Sequence, residues 1–178
     1  GGLAVATVVA STVLAAMVGV IGAAVVTMAL VALPSMLRRG YSPVLAVGTV
    51  MAGGTLGILI PPSVLAIVYG LVANQSVGEL YLGSVFPGLV LSGLYILFSV
   101  GYALLNPKAA PRLSPEETPT WSERWRALRS IWSPLVLIFL VLGTIFLGLA
   151  APTEAAAIGA FGAMVVAAIH RRLSWTIL

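Results

Sequence analysis

The chain has 178 residues, 60% hydrophobic and only 8% charged, against about 25% charged in a soluble domain. Nine Lys and Arg with five Asp and Glu leave a net charge of +4, and with a mean hydropathy of +1.12 they exclude a soluble enzyme, a nucleic-acid binder or a disordered tail. There is no cysteine, so disulfides and thiolate metal sites drop out; the start at Gly1-Gly2, without an initiator Met or a signal-peptide pattern, reads as the interior of a longer membrane protein.

The first charge-free stretch, from Gly2 to Leu33, is long for one helix and short for two full crossings. Gly19 and Gly22 lie at its middle. It fits a single tilted helix, or a re-entrant hairpin of two short arms turning at those glycines, which requires shelter for its bare backbone. Arg38 and Arg39 follow.

The next charge-free span, Val44 to Val72, contains Gly53-Gly54-Thr55-Leu56-Gly57-Ile58-Leu59-Ile60-Pro61-Pro62-Ser63. Two adjacent prolines remove two N–H donors and clash with carbonyls one turn earlier. The helix is expected to break there, leaving free carbonyls on its first half and free N–H groups at the start of Ser63 to Val72. Those ends carry opposite partial charge. The carbonyl end with the Thr55 hydroxyl suits a dehydrated cation such as Na⁺, and the N–H end with the Ser63 hydroxyl suits a carboxylate. Discontinuous helices mark ion and substrate sites in secondary transporters; the bland alternative is a proline kink satisfied by neighbouring helices.

A turn at residues 73–76 leads to a span over Tyr81 to Leu105. The segment from Lys108 to Arg129 then holds eight of the fourteen charged residues. Prolines at 107, 111, 115 and 119 keep its first part non-helical. Thr120-Trp121-Ser122-Glu123 reads as a capping box opening a short amphipathic helix, with Trp121, Trp125, Leu128 and Trp132 on one face and Arg124, Arg126 and Arg129 off it. That pattern lies in a membrane interface, as a plain anchor or as a docking surface for another subunit. Spans over Ile131 to Ala150 and Ala155 to Ile169 complete the chain, joined at Ala151-Pro152-Thr153-Glu154. Glu154 fits a helix N-terminus, with a coupling role as the alternative.

The Lys/Arg clusters at 38–39, 108–129 and 171–172 are expected on the cytoplasmic side, which puts two crossings between each pair. No span shows a polar face along its whole length, which disfavours a channel. An intramembrane enzyme built on Glu154 and His170 would have those groups about 24 Å apart along one helix. No nucleophile–base pair, metal spacing or phosphate loop is present, so no enzyme is expected.

GGTLGILIPPS (53–63), the preceding PSMLRRGYSP (34–43) and the later APTEAAAIGA (151–160) resemble the large membrane subunit of TRAP, the tripartite ATP-independent periplasmic transporters. The resemblance covers nearly the whole chain and is weakest over 106–130. It implies an all-α integral membrane protein, a polytopic helical bundle with a re-entrant hairpin and a broken helix, forming part of an inverted-repeat elevator-type carrier in the bacterial inner membrane. It implies uptake of an organic acid, C4-dicarboxylate-like or another carboxylate, with Na⁺ as coupling ion and no organic cofactor. A periplasmic substrate-binding protein and a small TRAP membrane subunit would be partners, in a lipid bilayer. By that likeness residues 1–105 are the end of a first repeat, 106–130 a cytoplasmic linker, and 131–178 the start of a second; 2–33 becomes the hairpin and 44–72 the broken helix. Gly54, Thr55, Gly57, Pro61, Pro62 and Ser63 fall on the family motif, and Gly19, with Gly22 beside it, on the hairpin tip. Many members have a Ser-rich tip where this chain has Val18, Val20 and Ile21, so a cation there would rely on backbone carbonyls or on groups from elsewhere. A Na⁺-coupled anion symporter without a binding protein, or a structural membrane subunit, are the competing readings.

Overall fold

The computed structural model describes residues 1–111 and 120–169. The expectations for His170, Arg171, Arg172 and the prolines at 115 and 119 lie outside the described residues, as do the side chains of Glu123, Arg124 and Leu128. All regular structure among the described residues is α-helical, in seven helices: α1 (Gly2–Val18), α2 (Ile21–Arg38), α3 (Pro43–Leu59), α4 (Val64–Ala73), α5 (Val77–Leu105), α6 (Trp121–Phe146) and α7 (Pro152–Ile169). Four stretches are long and apolar enough to cross a membrane: Ile21–Arg38, Pro43–Ala73, Val77–Leu105 and Pro152–Ile169. The chain is a multi-pass membrane protein, and Leu30, Leu71, Val72, Phe86 and Leu97 project outward from it as lipid-facing side chains do.

The chain falls into two compact units, Gly1–Thr118 and Pro119–Leu178. In the first, α1, α2 and α3 pack on one another, α5 lies against α1 and α3, and α4 rests mainly on α5. Three apolar clusters follow the bundle from end to end. At one end Ala4, Met36, Tyr41, Leu45 and Ala46 join the start of α1, the end of α2 and the start of α3. Met28, Ala32 and Val50 hold the middle. At the other end Ala15, Leu56 and Ile60 are buried with Ala16, Leu91 and Tyr95 around them. Tyr41 does more than fill space, since its hydroxyl accepts the Leu3 N–H at 3.2 Å, one of the N–H groups that the first turn of a helix leaves over. Gly40, at φ 74°, turns the chain between α2 and α3.

Close helix approach in this unit uses small residues, as is usual where lipid removes the hydrophobic drive for association. Gly53 faces Ser11 of α1, Gly54 faces Val25 of α2, and Gly88 of α5 faces Ile60.

Helix limits differ from expectation at α5 and α6. α5 begins at Val77, not Tyr81, because Ser76 caps it by accepting the Glu79 N–H at 3.4 Å, the Ser-x-x-Glu pattern of a capping box. α7 begins at Pro152 with Glu154 at its N-terminus, as the sequence indicates, and Glu154 Oε2 accepts the Ala151 N–H at 2.9 Å. In the second unit α6 is one helix of 26 residues, not a short interfacial helix followed by a separate span. The polar-to-apolar change at residue 131 reports on solvent; the backbone has no reason to break there, since no Gly or Pro occurs between Trp121 and Ser133. The helix runs through Pro134 and ends where Gly148 adopts φ 67°, the left-handed conformation that commonly closes helices.

Candidate functional site

The chain between α1 and α2 is a two-residue tip, Gly19 and Val20. Gly19 closes α1 in the left-handed conformation, φ 65° and ψ 9°, with its N–H on the Ala15 carbonyl at 3.1 Å. Val20 is extended at φ −136°. No side chain other than glycine fits at position 19, because a Cβ there would run into the Pro62 carbonyl oxygen. The tip is therefore seated on the interruption between α3 and α4.

That interruption covers residues 60–63. The helical ladder of α3 ends with the Ile60 N–H on the Leu56 carbonyl at 2.8 Å. The groups that would next satisfy the carbonyls of Gly57 and Ile58 are Pro61 and Pro62, which have no N–H. Their peptide bond is cis. Helix α4 starts at Val64, whose N–H donates to the Gly19 carbonyl at 3.2 Å. A backbone oxygen of the tip thus occupies the positive end of α4. Gly57 sits under Val20, close enough that an added Cβ would lie 3.5 Å from the Val20 carbonyl carbon.

Ser63 is the unusual side chain here. It is the N-cap residue of α4, yet its hydroxyl makes no cap hydrogen bond. It is 1% exposed, and its Oγ has no hydrogen-bond partner in the structure. An unsatisfied buried hydroxyl destabilises a fold by about 1–3 kcal/mol. Ser11 Oγ is in the same condition, packed against Gly53.

Helix α5 braces the break. Tyr81, fully buried, donates its hydroxyl to the Ser63 carbonyl at 3.2 Å. Gly88 admits Ile60. Tyr95 packs beside Ile60 and Leu56, with its hydroxyl 3.2 Å from Thr55 Oγ1. Thr55 Oγ1 also donates to the Ala52 carbonyl at 2.7 Å. Further along, Ser92 Oγ meets Thr12 Oγ1 of α1 at 2.7 Å. No polar face runs the whole length of α5, as the sequence indicates, but its second half carries a polar stripe of Ser92, Tyr95, Ser99 and Tyr102, at spacings of three and four. It packs against α1 and α3 instead of lining a pore, and Thr49, Tyr95, Ser99 and Tyr102 face a cavity of about 530 Å³ between these helices.

The structure brings together Gly19, Gly57, Pro61, Pro62 and Ser63. It does not place Gly22 among them: that residue lies in the first turn of α2 with open space where a Cβ would go. Gly54 is a packing residue against Val25. Thr55 belongs to the site through Tyr95 rather than through the tip. Glu154 is an exposed cap of α7 in the other unit. Tyr81, Gly88 and Tyr95 escaped notice in the sequence, although Tyr81, Gly88, Tyr95 and Tyr102 recur every seventh residue, the signal of one helix face.

No group of three or more His, Cys, Asp or Glu that could hold a metal occurs among the described residues. The oxygens at the break are backbone carbonyls and the unpartnered Ser63 hydroxyl. Hard cations take neutral oxygen donors of this kind, so the donor set fits Na⁺ and would not fit a transition metal.

Comparison with known proteins adds a family. The model of the tripartite ATP-independent periplasmic transporter, DctM component, matches residues 1–178. The C4-dicarboxylate TRAP transporter large permease protein DctM of Vibrio cholerae is 40% identical over 160 residues, which cover 90% of this chain and 34% of that protein. Its counterpart in Pseudomonas aeruginosa is 39% identical over 172 residues, covering 96% of this chain and 39% of that protein. The ectoine TRAP transporter large permease protein TeaC of Halomonas elongata is 34% identical over 157 residues, 88% of this chain and 36% of that protein. The chain thus spans between a third and two fifths of the length of these relatives.

Proposed function

Because this chain belongs to the DctM family of tripartite ATP-independent periplasmic transporters, we propose that it forms part of the permease of a secondary transporter that takes up a small organic acid together with Na⁺. C4-dicarboxylates are the substrate class favoured by the names of the relatives at 40% and 39% identity. A periplasmic substrate-binding protein delivers the acid, and a small TRAP membrane subunit completes the permease in the bacterial inner membrane. The segment 2–33 acts as a re-entrant hairpin and 44–72 as the broken helix facing it.

The observation that carries this reading is the seating of the Gly19 tip on the 60–63 interruption, with Ser63 Oγ buried and unpartnered beside it. A helix broken at mid-span exposes carbonyls on one side and N–H groups on the other, and only a functional demand or a neighbouring segment justifies that in lipid. Here the neighbouring segment satisfies the Val64 N–H and leaves Ser63 Oγ and the carbonyls of Gly57 and Ile58 as the candidate oxygens. When bound, Na⁺ would supply a positive charge next to the α4 N-terminus and so favour an anionic substrate. Gly57 keeps the space under Val20 free of a side chain, Tyr81 fixes the Ser63 backbone, and Tyr95 fixes the Thr55 hydroxyl.

The test is uptake of labelled C4-dicarboxylates by proteoliposomes holding the full-length protein and its small subunit, with and without a Na⁺ gradient and with and without the binding protein. Uptake that needs both is the expected result. Uptake driven by a proton gradient alone overturns the Na⁺ reading and turns attention to Glu154. Uptake that needs Na⁺ but no binding protein favours the simpler symporter.

A further inference from the structure

The first turns of α6 carry a face that the proposed transport site does not use. Trp125, Arg126, Arg129, Ile131, Trp132 and Leu135 line one groove, and Trp125 and Trp132 are each 67% exposed. Trp125, Arg129 and Trp132 fall within about 60° of arc on a helix of 3.6 residues per turn, with Arg126 adjoining them. In the sequence this helix has three arginines, at 124, 126 and 129, against the single acid Glu123.

With the apolar part of α6, Ile131–Phe146, taken as inserted in the membrane, the continuity of the helix sets the depth of these groups. Its apolar part begins at Ile131, and the polar turns extend the same rod outward instead of folding into the membrane plane. Along the axis Arg129 stands about 3 Å and Arg126 about 7.5 Å before Ile131. The headgroup layer on each side of the hydrocarbon core is about 5–7 Å thick. With Ile131 at the hydrocarbon edge, both guanidinium groups lie at the level of the lipid phosphates, bracketed by two tryptophans of the kind that settle at that boundary.

We propose that Arg126 and Arg129 bind the headgroup phosphate of one anionic phospholipid, whose acyl chain follows the groove past Ile131, Trp132 and Leu135. Side chains three apart on a helix are neighbours, and guanidinium presents a planar fork of donors to phosphate oxygens. An anionic lipid is selected over a zwitterionic one because the latter brings its own cation, which competes for the phosphate and adds positive charge to a helix already in surplus. The site depends on the chain spanning a membrane, and not on what it transports.

The experiment is native mass spectrometry of the full-length protein in mild detergent, titrated with phosphatidylglycerol or with phosphatidylcholine of the same acyl chains. One phosphatidylglycerol is expected to be held that R126Q/R129Q loses, its affinity in the titration falling by about thirtyfold, the factor for removing two basic residues from an anionic surface. Phosphatidylcholine binding should not change, and R126K/R129K should recover part of the loss. Equal retention of phosphatidylglycerol by wild type and R126Q/R129Q, or equal retention of the two lipids by the wild type, overturns the proposal. Should the double variant not fold, the wild type alone decides it. Its selective phosphatidylglycerol is expected to dissociate in 1 M salt, where the screening length is about 3 Å, and retention unchanged by salt overturns the proposal.

Discussion

Ser63 has a buried hydroxyl that no group in the structure satisfies, and this makes it the most informative residue to change. A serine kept only for the fold would cap α4, and this one does not. Ser63→Ala removes an unsatisfied polar atom, so the thermal midpoint of the detergent-solubilised full-length protein is expected to stay the same or rise slightly. Uptake at limiting Na⁺ is expected to fall several-fold. Unchanged uptake at limiting Na⁺ takes Ser63 out of the site. Gly19 and Gly22 separate in the same way. Gly19→Ala forces a Cβ into a left-handed residue, at about 1–2 kcal/mol, and against the Pro62 carbonyl, so both stability and uptake should drop. Gly22→Ala adds a methyl group to open space and should leave both intact. Equal effects of the two, measured by thermal melting and uptake, would show that the seating of the tip does not matter.

At the level of helices, α3 is fitted to its neighbours through glycines. A methyl at Gly54 would meet the side chain of Val25 and lie 3.2 Å from its Cα. Gly54→Ala should therefore lower the melting temperature by loosening α2 against α3, and Val25→Ala in the same protein should restore part of it. A double variant no better than the single one would place the strain elsewhere. The all-helical, membrane-spanning class was legible from charge-free runs alone, because lipid leaves the chain few other ways to satisfy its backbone. The interruption at 60–63 was legible too, since prolines lack an N–H whatever surrounds them. The bracing by Tyr81, Gly88 and Tyr95 was not, because polar groups on a helix announce contact with something without saying what. α6 was divided in the sequence reading because composition tracks membrane depth, whereas helix continuity depends on Gly and Pro. Gly22 was grouped with Gly19 by proximity in sequence, but three residues further along a new helix put it on different surroundings.

For the molecule as a whole, the proposed orientation can be checked directly because this stretch has no cysteine. Gln75, exposed in the α4–α5 turn, and Lys108, exposed after α5, lie on opposite ends of one 29-residue helix. In an otherwise cysteine-free full-length protein, Gln75→Cys should react with a membrane-impermeant maleimide from the periplasm and Lys108→Cys only from the cytoplasm, following the Lys/Arg distribution. The opposite pattern inverts the proposed topology.

The hydrogen bond from the Val64 N–H to the Gly19 carbonyl has a bearing on discrimination between solutes. On the proposed reading, an incoming acid that binds the Val64 N–H must exchange with a neutral oxygen that already holds it. A neutral amide or ester offers an acceptor no stronger than the one displaced, so the swap gains nothing. A carboxylate makes a charge-assisted bond roughly twice as strong, and only the ionised form comes out ahead. Rejection of uncharged analogues would then arise from an internal competitor built into the tip, with no dedicated residue needed to exclude them.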